Sequence, residues 1–204
     1  MIGIINMQTN NINCFVKILK RLKYQYKVIN SYEDYNNDII KLIIPGIGNY
    51  KSSSDYIKKT GIDKIIKEHN MLNKKIMGIC IGMQILTTYG DESGYSEGLN
   101  IFENTKTEKL KTNTILPHIG WNSIKLLKPD YDNLFNDINL RSDFYFVHSY
   151  NVVCENNNLI MATTYYEDIE FISIIKTENI LAVQFHPEKS GVNGIKLIEN
   201  FLKW

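Results

Sequence analysis

The chain has only four prolines and twelve glycines in 204 residues, and nowhere do Gly, Ser or Pro accumulate. That excludes collagen-like and low-complexity architectures and leaves no linker at which to divide the chain, so one domain spanning residues 1–204 is expected. Cysteine is scarce too. Cys14, Cys80 and Cys154 are an odd number without metal-ligand spacing, which excludes a disulfide framework and a zinc module and fits a reduced, cytoplasmic protein. Charge of neither sign dominates, with 23 Lys and Arg against 22 Asp and Glu; no global field recruits nucleic acid or an anionic membrane. No apolar run approaches membrane length, and the N-terminal one is too short for a signal peptide.

What is present is organised. Residues 2–6 read as a buried strand, 12–22 as a helix with Ile12, Phe15, Val16, Leu19 and Leu22 at helical spacing. Strands follow at 26–30 and 39–44, then one helix over 54–68 with Ile57, Ile62, Ile65 and Ile66 as its buried stripe, and a strand at 75–79. A further helix over 82–89 is expected directly after Cys80. This alternation predicts an α/β fold with an open, mostly parallel central sheet flanked by helices. The second half differs, with short β-rich segments at 122–127, 143–148, 151–154, 159–165, 171–176 and 180–184. A helix over 191–203 closes the chain, with Ile195, Ile198, Phe201 and Leu202 inward.

In open parallel sheets the functional crevice lies beyond the carboxyl ends of the strands. Cys80 sits at such an end, within Gly78-Ile79-Cys80-Ile81-Gly82. A cysteine without context is usually a small buried hydrophobe, but that role needs neither flanking glycine. A strand–turn–helix nucleophile elbow needs small residues there. Far downstream, His186-Pro187-Glu188 ends a strand; Pro187 steers the backbone away from helix, and Glu188 can hold the imidazole in one tautomer. Thiol, base and orienting carboxylate together form the pattern of nucleophilic catalysis by cysteine. Pro45-Gly46-Ile47-Gly48 follows another strand. It reads equally as an ordinary turn or as one aiming backbone N–H groups at an oxyanion, with Ile47 and Ile81 as the donors.

No Lys-Ser/Thr pair completes a phosphate-binding loop at this turn, so it is not expected to cradle phosphate. Gln84 lies one helical turn beyond Cys80, where it could hold an amide; Glu92 could take an ammonium group. Each reads equally as a solvated surface residue. His69, among Lys67, Glu68 and Asn70, reads as surface, and Cys14 and Cys154 as structural. The segments 117–122 and 145–150 are denser in polar aromatic residues than a core requires.

Taken together, PGIGNY at 45–50, GICIGMQIL at 78–86, PHIGWN at 117–122, YFVHSY at 145–150 and QFHPEKSG at 184–191 resemble the class I (triad-type) glutamine amidotransferases, in order and over nearly the whole chain. GICIGMQ and QFHPE mark that class; PHIGWN and YFVHSY are similar to the glutaminase subunits of imidazole glycerol phosphate synthase. The resemblance implies a flavodoxin-like sheet and no cofactor or metal. It implies that Cys80 attacks the side-chain amide of glutamine to form a thioester, with His186 as base and acid and Glu188 orienting it. It also implies an oxyanion hole from the Ile47 and Ile81 amides, and glutamine contacts from Gln84, Glu92, Ser149 and Tyr150.

As a partner the family implies a (β/α)8-barrel cyclase subunit that receives the ammonia and forms imidazole glycerol phosphate in histidine biosynthesis. Asn11, Asn13, Trp121 and Asn122 lie in segments matching the docking face. The alternative is a paralogous glutaminase that supplies ammonia for amidating a cell-surface sugar. One departure stands out: Gln8-Thr9-Asn10-Asn11 occupies the place of the family's Gly-x-Gly-Asn turn.

Overall fold

The computed structural model describes residues 1–8, 12–139 and 141–204. Its elements run β1 (Ile2–Ile5), α1 (Ile12–Arg21), β2 (Tyr26–Ile29), β3 (Lys41–Ile44), α2 (Tyr50–Thr60), α3 (Ile62–Met71), β4 (Lys75–Ile79) and α4 (Ile81–Gln84). Then follow β5 (Tyr89–Gly90), β6 (Ser96–Glu97), β7 (Thr105–Lys109), β8 (His118–Asn122), β9 (Lys125–Leu126), β10 (Phe144–His148) and β11 (Tyr150–Cys154). The last are β12 (Ile160–Tyr166), β13 (Ile169–Lys176), β14 (Ile180–Val183) and α5 (Gly191–Lys203).

The central sheet is eight-stranded, in the order β2-β1-β3-β4-β14-β13-β12-β9. It is parallel from β2 to β14 and antiparallel from there to β9. Both faces of the inner parallel strands are buried, which is why β1 and β14 are continuous apolar runs rather than alternating ones. Alternate residues of one strand feed opposite cores. Met77 and Ile79 of β4 join Phe15 and Leu19 of α1 and Leu197 and Phe201 of α5; Ile76 joins Ile57, Ile62, Ile65 and Ile66 of α2 and α3. Two smaller units, the ribbon β10-β8 and the sheet β11-β7-β5-β6, lie beyond the main sheet. Among the described residues no helix is long and apolar enough to cross a membrane.

Four sequence expectations need correction. The helix expected over 54–68 is two helices, broken at Gly61, whose φ of 73° is left-handed and suits glycine above other residues. The stripe itself is buried as expected.

The helix after Cys80 is a single turn. The carbonyls of Ile85, Leu86 and Thr87 accept hydrogen bonds from the amides of Leu99, Ile101, Phe102 and Asn100, so a neighbouring loop takes the acceptors that a longer helix would use. The strand expected over 122–127 is split between β8 and β9; Asn122 Oδ1 accepts from the Ser123 amide there, an Asx-type bend. Finally, His69 is fully buried rather than on the surface, because it continues the Ile62, Ile65 and Ile66 stripe at helical spacing. Its Nδ1 is paired with the Tyr35 hydroxyl at 2.9 Å.

Candidate active site

The elbow is forced by backbone proximity. A Cβ on Gly82 would stand 1.8 Å from the Ile44 carbonyl oxygen, and one on Gly78 would stand 2.7 Å from the Gly82 oxygen. Only glycine lets β3, β4 and the turn after Cys80 pack this closely. Cys80 itself has φ 53° and ψ −110°, a conformation that costs a non-glycine residue on the order of 1–3 kcal/mol and marks functional sites. Its amide still completes the parallel ladder, donating to Val183 O at 2.8 Å. With α4 only four residues long, its dipole adds little to activation of the thiol. Activation has to come from side chains.

One side chain is His186, fully buried just beyond β14. Its Nδ1 is 2.9 Å from Glu188 Oε1, and both side chains are inaccessible to solvent. Nε2 falls short of a regular hydrogen bond to any described group, yet the sulfur is near enough to govern its titration. Burial pushes the ring toward neutrality, but the Cys80 sulfur and the Glu188 carboxylate outweigh it and raise the pKa to about 10. The loop is pinned to β10: His186 N donates to Tyr145 O at 2.8 Å. Ser190 Oγ donates to His186 O at 2.6 Å and accepts from Tyr145 N at 2.9 Å. Ser190 carries no motif value by itself, and the sequence reading passed over it.

A cleft of about 220 Å³ opens beside the thiol, lined among others by Ile47, Cys80, Gln84, Glu92, Ser149 and Tyr150. Six residues singled out in the sequence thus meet in one place. Ile81 is buried behind the elbow instead of lining the cleft with its side chain. Gln84 is buried rather than solvated, and its Nε2 donates to Tyr150 O at 2.9 Å and to Gln184 Oε1 at 3.0 Å. Glu92 Oε2 accepts the Tyr50 amide at 2.6 Å, at the start of α2. Burial raises its pKa, against that hydrogen bond.

Two histidines at and behind the cleft wall stay neutral. His148 Nδ1 is 2.8 Å from Tyr150 O, and His148 Nε2 is 3.2 Å from His118 Nδ1. A carbonyl can only accept, so His148 carries its proton on Nδ1 and His118 donates to it. Phe146 and Tyr166 stack on His118. Burial lowers the pKa of His118 to about 4 and that of His148 to about 3.

The residues matched to a docking face are dispersed. Trp121 and Ile119 point outward from β8, 57% and 59% exposed; Trp121 stands edge-on to Tyr145, over which Lys189 Nζ sits at 5.6 Å. Asn13 is exposed in the first turn of α1, at the same carboxyl edge of the sheet. Asn122 is half-buried and its Nδ2 donates to Tyr165 O at 2.6 Å. Asn11 lies outside the described residues.

Comparison with known proteins agrees with this architecture. Residues 4–204 match the family model "Glutamine amidotransferase class-I". The chain is 42% identical to "Imidazole glycerol phosphate synthase subunit HisH" of Pyrococcus furiosus, over 98% of this chain and 97% of that protein. It is 36% identical to "Imidazole glycerol phosphate synthase subunit HisH 1" of Campylobacter jejuni over the full length of both. Among solved structures, a glutamine amidotransferase superposes with a TM-score of 0.71 at 17% identity, covering 99% of this chain and 97% of that one. A chain of PurLQS from Thermotoga maritima superposes at 0.74 and 16%, with the same coverage; both likenesses speak to the fold alone. The chain belongs to the class-I glutamine amidotransferase family and, within it, to the HisH glutaminase subunits of imidazole glycerol phosphate synthase.

Proposed function

We propose that Cys80, His186 and Glu188 form the catalytic triad of this glutaminase, acting within one domain that spans the chain. The observation that carries the reading is a strained Cys80 beside a buried imidazole held at 2.9 Å by a buried carboxylate. The Cys80 thiolate attacks the side-chain carbonyl carbon of glutamine, forming the S–C bond and a tetrahedral oxyanion that the Ile47 and Ile81 amides receive. Collapse breaks the C–N bond; His186 gives its proton to the departing nitrogen, which leaves as ammonia. Water then attacks the thioester, gives a proton to His186, and glutamate leaves with the thiolate restored. One glutamine and one water become one glutamate and one ammonia.

Gln84 offers the substrate its oxygen, since both hydrogens of its amide nitrogen are spent. Glu92 receives the ammonium end, and the main chain of Ser149 and Tyr150 the carboxylate end. The ammonia passes to a (β/α)8-barrel cyclase subunit docked on the face that holds Asn13, Trp121 and Asn122. Its receptor there is the ribonucleotide that becomes imidazole glycerol phosphate. Support comes from the Trp121–Tyr145–Lys189 cluster, which leads from the surface to the cleft, and from whole-length relatives that are themselves named as synthase subunits. Those relatives favour the histidine pathway over a sugar-amidating paralogue. Three free cysteines suit the cytoplasm.

Glutamate release, measured with and without the cyclase subunit and its ribonucleotide, tests this reading. Low activity alone and strong stimulation by the loaded partner are expected; full activity without the partner would defeat the coupled reading. Cys80→Ala should abolish glutamine hydrolysis while the partner still uses added ammonium. Persistent hydrolysis in that variant would remove Cys80 from the mechanism.

A further inference from the structure

The sulfur of Cys80 has a neighbour that the triad does not include. Gln184, the last residue before Phe185 and His186, is fully buried, and its Nε2 lies 3.6 Å from Cys80 Sγ. A carboxamide's two ends are easily interchanged in a structure, so its direction has to be derived. Tyr150 O is a backbone carbonyl and can only accept. Gln84 must therefore turn its nitrogen toward it, and that nitrogen also faces one end of the Gln184 amide at 3.0 Å. That end must be the Gln184 oxygen, which leaves its nitrogen for the sulfur. The whole chain hangs on one carbonyl, itself held by His148 Nδ1 at 2.8 Å.

We propose that Gln184 is a positioning donor to the nucleophile: its amide N–H, 3.6 Å from the Cys80 sulfur, holds that sulfur and favours the thiolate. The proposal rests on the reading of Cys80 as the nucleophile. It gives the elbow what its one-turn helix does not supply, a fixed dipole aimed at the sulfur. Two groups from the segment just after β14 would then set the thiolate's direction, the charged imidazole of His186 and the neutral amide of Gln184. The arrangement also ties reactivity to the cleft wall, because Gln84 lines the cleft and orients Gln184.

The charged and titratable groups near the sulfur are His186 with Glu188 behind it, His148 of β10, and Glu92 and Lys189 along the cleft. Gln184→Met keeps length and burial and removes the donor without changing any of them.

The test is the pH profile of iodoacetamide alkylation, read at the Cys80 peptide by mass spectrometry so that Cys14 and Cys154 do not contribute. In Gln184→Met the midpoint is expected to rise by about one pH unit. The kcat for glutamine should fall about tenfold, with KM changed less than about twofold. An unchanged midpoint and kcat in a folded variant would overturn the proposal. If the variant does not fold, the wild-type chain still decides. The side-chain N–H resonances of Gln184 should titrate with the Cys80 alkylation midpoint and move when Cys80 is alkylated; resonances indifferent to both would overturn it. Hydrolysis surviving in Cys80→Ala sinks the nucleophile reading instead. An inactive Cys80→Ala beside an unaffected Gln184→Met sinks only the role of Gln184.

Discussion

His186 and His148 are both buried near Cys80, yet one holds its proton up to a pH of about 10 and the other gives it up near 3. Burial alone pushes both toward neutrality. The partners decide. His186 faces a carboxylate and a sulfur that can carry negative charge. His148 faces a neutral carbonyl and a second imidazole, whose protonated form would repel its own. The same side chain is thus a charged participant at one position and a fixed, neutral strut at the other. Stiffness and reactivity in this cleft are separate assignments, made by whatever stands beside each ring.

The largest break in that contrast comes from removing the charge behind His186. Glu188→Gln keeps the size of the side chain and discards the carboxylate. Glutaminase kcat should fall by roughly 10³–10⁴, the scale seen when an orienting carboxylate is neutralised in triad enzymes. Ring resonances of His186 should show its pKa falling from about 10 toward the ordinary histidine value. A ring still protonated at pH 9 in this variant would mean that Cys80 alone holds the charge.

How much of this was legible beforehand follows from where the information sits in the chain. Cys80 with Gly78 and Gly82, and His186 with Glu188, could be read because each group is local and its residue types are demanding. The two glycines are required by atoms of Ile44 and Gly82 itself, so their spacing already implied the elbow. The break at Gly61 had a signal that went unused: Ile57 and Ile62 are out of helical phase, with a glycine between them. The polar neighbours of His69 in sequence hide its burial: Lys67 faces solvent and Glu68 and Asn70 flank the buried stripe of α3. Gln184, Ser190 and the His118–His148 pair could not have been found this way. Each acquires its role from a residue distant in the chain, and neither composition nor period encodes that meeting.

The neutral side of the contrast has its own lever, acid. His69, His118 and His148 have pKa values lowered by burial to about 4, 4 and 3. Below pH 6.5 the unfolded chain takes up these protons while the folded chain does not, so stability falls on acidification through that window. By pH 5 each ring should withdraw on the order of 2 kcal/mol. Urea midpoints at pH 7 and pH 5 read the loss directly. In His69→Gln, outside the residues that line the cleft and with Nδ1 paired to Tyr35, the drop between the two pH values should shrink by about one ring's share. Glutaminase activity at pH 7 should be unaltered. An undiminished drop would mean that the acid sensitivity resides in the cleft pair alone.

The smallest effect separates the electrostatics of the charged ring from the strain beside it. Cys80→Ala and Cys80→Gly both remove the sulfur, so both should abolish hydrolysis and lower the pKa of His186 to the same extent. They differ in backbone cost. Alanine inherits the φ of 53°, which glycine adopts freely, although glycine also gives the unfolded chain more freedom to lose. The left-handed penalty is the larger of the two, so Cys80→Gly should be more stable than Cys80→Ala by about 1 kcal/mol. Denaturant titration of the pair measures that difference with the electrostatic change held constant. Equal stabilities would mean that the backbone at residue 80 relaxes once the sulfur is gone. The strain would then come from the hold of His186 and Gln184 on the thiol, and not from the close packing of Gly78, Gly82 and Ile44.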